Sequence, residues 1–207
     1  MQNFGLVVIG AHFGVWLEDE INNYKDQNIL LVEPVPYNIK TLEQKYNHIE
    51  NIQICKNAIF SEKKKSTFYY VDGESIHKLG KHWASGIGSF DKNHILNHKS
   101  KRFKIEENDI IEMKIEFITF KDMVDIYSIQ SIDKLQIDVE GAEYEILKSI
   151  NFDDIKINSI LFEAKHFDGT FKQGKKLDEI KDKLSKAGFT LTQIDNENIL
   201  AKKSPLI

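Results

Sequence analysis

The stretch Leu6-Val7-Val8-Ile9-Gly10-Ala11-His12-Phe13-Gly14 decides the fold. Apolar residues in succession from Leu6 to Ile9, without polar alternation, suit a strand buried on both faces of a parallel sheet. Glycines at Gly10 and Gly14 then permit a tight turn out of that strand and a close backbone approach to a ligand. Downstream, Leu17, Ile21 and Tyr24 recur at helical spacing. Ile29 to Val32 forms a second apolar run, Asn38 to Tyr46 is long enough for a helix, and Ile52 to Cys55 forms a third run. Strand alternating with helix in this way is the pattern of a doubly wound α/β sheet.

Residues 57 to 131 interrupt the rhythm. Within them Glu112 to Phe117 alternates polar residues with Met113, Ile115 and Phe117, and Thr119 with Asp122 predicts a capped helix running toward Tyr127. Residues from about 72 to 104 read as an inserted lid or loop. Lys134 to Val139 resumes the parallel pattern as a fourth buried strand. Gly141 to Ile150 follows as a helix turning Ala142, Ile146, Leu147 and Ile150 inward. A strand over Ile157 to Glu163, a helix over Leu177 to Ala187 ended by Gly188, and a hairpin of Phe189 to Ile194 with Ile199 to Ala201 complete the chain. At 207 residues, with no repeat and no low-complexity linker, a single domain over 1–207 is expected.

The formal net charge of −4 argues against a general polyanion binder, since nucleic-acid proteins carry a strongly basic face. A small-molecule partner fits better, and no nucleic acid or membrane partner is expected. The single cysteine, Cys55, cannot form an internal disulfide and reads as a buried thiol in a reducing compartment. The N-terminus lacks a basic flank before its apolar run, and no apolar window reaches membrane-spanning length, so a cytoplasmic location is expected. The sequence leaves the oligomeric state open.

A dinucleotide fingerprint needs a middle glycine where His12 stands, so that the backbone can touch a pyrophosphate. Without it, a G-x-x-x-G loop suits a cofactor that has no pyrophosphate. Glu33 closes the second strand about twenty residues on, where a carboxylate can accept both hydroxyls of a ribose. Loop and acid together point to a nucleoside cofactor, with His12 as a further candidate ligand.

Several segments also resemble the FkbM-type methyltransferases. They are Ile9 to Gly14, Val32-Glu33-Pro34-Val35-Pro36-Tyr37-Asn38, Asn57-Ala58-Ile59, Leu135 to Glu143 with its Asp138-Val139-Glu140-Gly141-Ala142-Glu143 run, Phe162-Glu163-Ala164-Lys165-His166, and Ala187-Gly188-Phe189. The resemblance spans nearly the whole chain in order. It implies a Rossmann-like class I methyltransferase fold, whose mostly parallel seven-stranded sheet ends in an antiparallel hairpin, here with an inserted lid before strand four. It further implies S-adenosylmethionine as cofactor and O-methylation of a hydroxyl on a sugar or other small metabolite. The cofactor-binding residues so implied are Gly10, Ala11, His12, Gly14, Glu33, Pro34, Asn57, Ala58 and Asp138. Family members commonly carry aspartate where this chain has Val8 and asparagine where it has His12. The first departure removes an expected carboxylate near the cofactor's ammonium group.

Ligands of open α/β sheets sit outside the carboxyl ends of the strands, so Asp138, Glu140, Glu143, Glu163 and His166 are expected around one cleft. Methyl transfer to a hydroxyl needs alignment and a proton acceptor. Asp138 is assigned to positioning, and Glu140 or His166 to the base. Glu143 reads as a cap of the following helix, and Glu163 as a substrate contact or the partner of Lys165 or Lys148. No third metal ligand is evident beside Asp138 and Glu140, so no metal is expected. In the insertion, Trp83 is available to stack on an acceptor ring, with Ser85 and Ser89 nearby as substrate contacts. The run Lys99 to Lys104 reads as a solvated basic face or as a site of attraction for a phosphate or carboxylate on the acceptor. The rival readings are a nicotinamide-dependent oxidoreductase, opposed by the missing glycine and the absence of Tyr-x-x-x-Lys, and a non-catalytic nucleoside-binding domain.

Overall fold

The computed structural model describes residues 1–80, 87–97, 99–100, 103–169 and 171–203. In chain order these form β1 (Gln2–Ile9), a 3-10 turn (Val15–Leu17), α1 (Glu18–Asn23), β2 (Asn28–Val32), α2 (Pro36–Tyr46), β3 (Ile52–Cys55) and β4 (Ala58–Phe60). There follow β5 (Lys64–Val71), α3 (Gly73–Leu79), β6 (Gly88–Ser89), α4 (Lys92–Asn97), β7 (Lys99–Ser100) and β8 (Phe103–Lys104). The last part holds β9 (Ile110–Thr119), α5 (Phe120–Ile126), β10 (Ile129–Ile137), α6 (Glu143–Ser149), β11 (Lys156–Glu163), α7 (Lys175–Lys186), β12 (Phe189–Gln193) and β13 (Asn198–Lys203).

The main sheet has seven strands in the order β12-β13-β11-β10-β1-β2-β3. Its strands from β3 across to β11 run parallel, and β13 and β12 pair antiparallel, as the sequence predicts. β1 lies at its centre, with Val8 opposite Gln136 on one side and Leu31 on the other. That position explains the unbroken apolar run, because both faces are covered. Leu6 and Val8 pack with Leu17, Ile21, Leu42 and Tyr46 of the α1 and α2 layer. Val7 and Ile9 pack with Met123, Ile146, Leu147, Ile180 and Leu184 of the α5, α6 and α7 layer. Ile146 and Leu147 are fully buried, so truncating either to Ala costs about 2–5 kcal/mol.

Helix ends follow the sequence closely. Thr119 and Asp122 form a reciprocal capping box at the start of α5, and Pro36 occupies the first turn of α2 where its missing N–H costs nothing. Lys63 also reaches Asp122, and with the Thr119 hydrogen bonds it holds that carboxyl down near 2. Helix α6 begins at Glu143 rather than Gly141, because Glu140 and Gly141 both adopt positive φ, 57° and 118°.

Residues 72 to 104 are not simply a loop. They contribute β6 to a second sheet of order β4-β9-β5-β6 and carry the helices α3 and α4. Strand β5 runs antiparallel to β9 from Lys64 to Val71. This strand is hard to see in the sequence because only Phe68 and Val71 of it are buried, and their spacing breaks the two-residue alternation.

Candidate active site

A cleft opens at the carboxyl ends of β1, β2 and β10, walled on its far side by the second sheet. The glycine loop forms one edge. Val32 O accepts hydrogen bonds from both Gly10 N and Ala11 N at 3.0 Å, which fixes the loop onto β2. Gly10 has φ 88°, and a Cβ there would lie 1.7 Å from the carbonyl oxygen of Asp138. Backbone contact between β1 and β10 therefore demands glycine at this position. Gly14, at φ 76°, faces Leu42 and Tyr46 instead and does not line the cleft, so its role is to seat α1 on α2. His12 does line it, and burial lowers its imidazole to about 4 although Glu140 acts in the opposite direction. At neutral pH His12 is an uncharged hydrogen-bonding group.

Glu33 is buried at the end of β2. Its Oε2 accepts the His12 N–H at 2.9 Å, and its Oε1 accepts Val35 N–H at 2.9 Å and the Asn38 amide at 3.2 Å. Each oxygen has two acceptor sites, so Oε2 retains one for a ligand hydroxyl. Burial raises this carboxyl to about 7 against the pull of those three donors. Pro34, Asn57 and Ala58 line the same part of the cleft, continuous with the glycine loop.

Beyond β10 and β11 the acids gather. Asp138 and Glu140 line the cleft. Asp138 keeps a water-accessible face, yet the enclosing cleft walls, followed by the charge of Glu140, hold its carboxyl above the usual range. Glu143 is fully buried and accepts Val139 N–H at 2.7 Å and Gly141 N–H at 2.9 Å, which braces the turn carrying Glu140. Burial lifts Glu143 to about 7. Glu163 pairs with Lys165 at 2.5 Å, and burial followed by the charges of Asp138 and Glu140 raises its carboxyl well above the usual range. His166 is buried, with Nε2 3.3 Å from Glu140 Oε2 and 3.9 Å from Glu163 Oε2.

An FkbM methyltransferase domain model matches residues 9–191, most of the chain. The chain belongs to the FkbM methyltransferase family. Its mixed α/β sheet is the class I methyltransferase fold. The crystal structure of methyltransferase FkbM from Methylobacillus flagellatus KT superposes with a TM-score of 0.53 at 14% identity, covering 97% of this chain and 43% of that one. The chain thus spans less than half the length of that protein. Aeropyrum pernix fibrillarin, solved with natively bound S-adenosyl-L-methionine, gives a TM-score of 0.48 at 10% identity, covering 97% of this chain and 66% of that one. No curated protein matches the sequence.

Most of the residues expected around the FkbM site do meet there. Gly10, Ala11, His12, Glu33, Pro34, Asn57, Ala58, Ser89, Asp138 and Glu140 all line the cleft. Gly14, Glu163 and His166 do not, because Gly14 packs on α2 while Glu163 and His166 lie behind the Glu140 turn. Trp83 and Ser85 fall outside the described residues, as does part of the basic run from Lys99 to Lys104. The departure at Val8 is a packing residue, 0% exposed in the α1 and α2 layer. Asp138 and Glu140 fall into separate groups of potential metal ligands. The fold brings His94, Glu140 and His166 together, and also Asp138, Glu143 and Glu163, each set with its candidate ligand atoms within 4.8 Å of one another.

Further residues in and behind the cleft escape a reading of the sequence. Trp16 is 75% exposed at the cleft edge. Phe90 stacks on Phe117 at 4.5 Å between ring centroids and meets Phe68 edge-on, so the second sheet presents an aromatic wall. Gly88 is required there, since a Cβ would sit 2.4 Å from the Phe68 ring. His94, on α4, is buried against the Glu140 turn. The spacing of aromatic residues from 60 to 90 was the available signal for the wall. Nothing local marks His94. No helix among the described residues is long and apolar enough to cross a membrane.

Proposed function

We propose that this domain is an S-adenosylmethionine-dependent methyltransferase that methylates a hydroxyl of a sugar or other small metabolite, without a metal. One observation carries the reading. Among the described residues the cleft is lined by Glu33, Asp138 and Glu140 and by no lysine or arginine. A sulfonium cofactor with an ammonium group is attracted by such a lining, whereas a dinucleotide pyrophosphate is repelled by it. The residues present fit that cofactor. Glu33 keeps an acceptor site that would take a ribose hydroxyl, the Gly10 loop admits close approach, and Asp138 and Glu140 would supply charge opposite to its sulfonium and ammonium groups.

When bound, S-adenosylmethionine supplies a methyl group activated by its positively charged sulfur. The chain has two tasks, alignment and removal of the hydroxyl proton. Asp138, at the floor between the glycine loop and β11, serves alignment of both partners. Glu140 serves as the base that accepts the hydroxyl proton and then releases it to water, a contribution worth on the order of a hundredfold. The aromatic wall of Phe68, Phe90 and Phe117, with Trp16 at the rim, offers apolar faces for a ring to lie against. Lys165 Nζ, 2.5 Å from Glu163 Oε1, supplies a positive charge beside the buried acids, which supports a reaction without a metal.

The test is titration calorimetry with S-adenosylmethionine and with NAD, then a methyl-transfer assay on a panel of monosaccharides and hydroxylated metabolites with chelator present. Binding of the first cofactor alone and methylation at oxygen are expected. Preference for NAD, or methyl appearing on nitrogen or carbon, would overturn the cofactor or the acceptor class respectively.

A further inference from the structure

Behind Glu140 stand two buried histidines that reach it from distant parts of the chain. His166 follows β11, and His94 is carried by α4 of the inserted segment. Their rings meet edge-on at 5.2 Å between centroids with an interplanar angle of 76°. His94 Cε1 also packs against the turn at Gly141, where a Cβ would come within 3.9 Å. With Glu140 they form a set of two histidines and a carboxylate, a composition suited to a transition metal.

One hydrogen bond decides against that use. The backbone N–H of Phe171 donates to His166 Nδ1 at 2.9 Å. A ring nitrogen that accepts carries no proton, so the neutral imidazole holds its hydrogen on Nε2. That Nε2–H faces Glu140 Oε2 and Glu163 Oε2. Coordination of a metal by Nε2 would remove this proton and leave a bare imidazolate, or require Nδ1 to carry a hydrogen against the Phe171 donor. The same tautomer cannot act as a base at either nitrogen. His166 therefore keeps its Nε2–H on the side of the carboxylate that lines the cleft, 3.3 Å from Glu140 Oε2.

We propose that His166, locked as the Nε2–H tautomer, is a positioning residue for Glu140, and that His94 holds it in place from the inserted segment. This rests on the reading of Glu140 as the base. The catalytic carboxylate then has its orientation set from three sides. Glu143 braces its backbone turn, His166 faces its side chain, and α4 closes the pocket behind them. Through His94 the insertion thereby contributes to the chemistry from behind the cleft lining.

Two measurements test the proposal. Long-range proton–nitrogen NMR on histidine-labelled protein reads the tautomer with neither cofactor nor acceptor present. His166 is expected to show a bare Nδ1 and a protonated Nε2, unchanged when zinc chloride is added to one equivalent. A protonated Nδ1, or a His166 signal that shifts stoichiometrically with zinc, would overturn the assignment whether or not the chain methylates hydroxyls. The second compares His166→Phe with His166→Gln, which keeps an N–H near the Nε2 position, using the monosaccharides that the wild type methylates. The Phe variant should lose at least tenfold in kcat, with the affinity for S-adenosylmethionine by calorimetry unchanged, and Gln should recover most of the loss. His94→Ala should lower kcat in the same direction, again with the cofactor bound normally. Full kcat in His166→Phe, or equal loss in Phe and Gln, would refute the positioning role while leaving the methyltransferase reading intact. Absence of turnover in the wild type would instead count against that reading, and the tautomer would still stand or fall by NMR.

Discussion

The backbone N–H of His12 donates to Glu33 Oε2 at 2.9 Å, and this bond ties the glycine loop after β1 to the acidic end of β2. The two sequence features that point to a nucleoside cofactor thus form one structure before any ligand arrives. The bond also holds the loop at the positive φ of 53° that His12 adopts. A non-glycine residue there costs roughly 1–2 kcal/mol and needs such an anchor.

Glu33→Ala should weaken S-adenosylmethionine binding by about 1.5 to 3 kcal/mol, as expected for loss of charge-assisted hydrogen bonds together with the loop's anchor. Glu33→Gln should fall between, because an amide oxygen in the Oε1 place still accepts the Val35 and Asn38 donors while the His12 bond is lost. Calorimetry giving wild-type affinity in both variants would take Glu33 out of the site.

Stability should depend on pH through the buried acids. Glu33 and Glu143 titrate near 7 in the native protein and near 4.5 when exposed. A raised carboxyl binds more protons folded than unfolded between those values. Stability therefore falls as pH rises from about 4.5 to 7, by on the order of 1–3 kcal/mol per group. Urea midpoints measured from pH 5 to 8 should decline across that window in the wild type and decline less in Glu143→Gln. A wild-type midpoint that climbs from pH 5 to 7 would show both groups already ionised at the lower end.

Gly10→Ala should be a folding variant as much as a binding one, because its Cβ would lie 1.7 Å from Asp138 O, where backbone rather than a flexible side chain must move. A loss of about 3 kcal/mol or more is expected. Gly80→Ala supplies the comparison. Gly80 shares a positive φ of 60° but has nothing within 4 Å, so about 1 kcal/mol is expected. Similar Tm values for the two variants would mean that β1 and β10 do not approach as closely as described.

Glu140→Gln should lower kcat by roughly a hundredfold with little change in cofactor affinity, whereas Asp138→Ala should impair both. The assay is S-adenosylhomocysteine release with monosaccharide acceptors, run with chelator. Activity lost with chelator and restored by magnesium would sink the metal-free mechanism. Unchanged kcat in Glu140→Gln would leave alignment as the source of rate.

Trp16→Ala should leave the melting temperature near the wild-type value, since the residue is 75% exposed, yet should raise the KM for acceptor or cofactor severalfold through loss of an apolar face. An unaltered KM for both would make Trp16 a surface residue with no part in binding.

Local chemistry alone determined much of this protein. Leu6 to Ile9 and Ile29 to Val32 announce strands because a chain segment without polar alternation has no face to offer water. Gly10 and Glu33 stand out as candidates because their places, at strand ends, are fixed by sequence distance along one βαβ unit. The Thr119 and Asp122 cap is likewise a three-residue relationship, and the structure keeps it. Tertiary structure decided what depends on residues far apart. Whether Glu163 and His166 enter the cleft or stand behind it turns on how residues 139–141 coil, where Glu143 braces a turn with positive φ at Glu140 and Gly141. The second sheet was hidden because β5 buries Phe68 and Val71 against a wall that exists only once β9 is paired with it. His94 lies 72 residues from His166 in sequence, and only the docking of α4 makes them neighbours. A sequence pattern records what a residue can contribute through its own chemistry, whereas burial, tautomer and orientation are fixed by the groups that the fold brings around it.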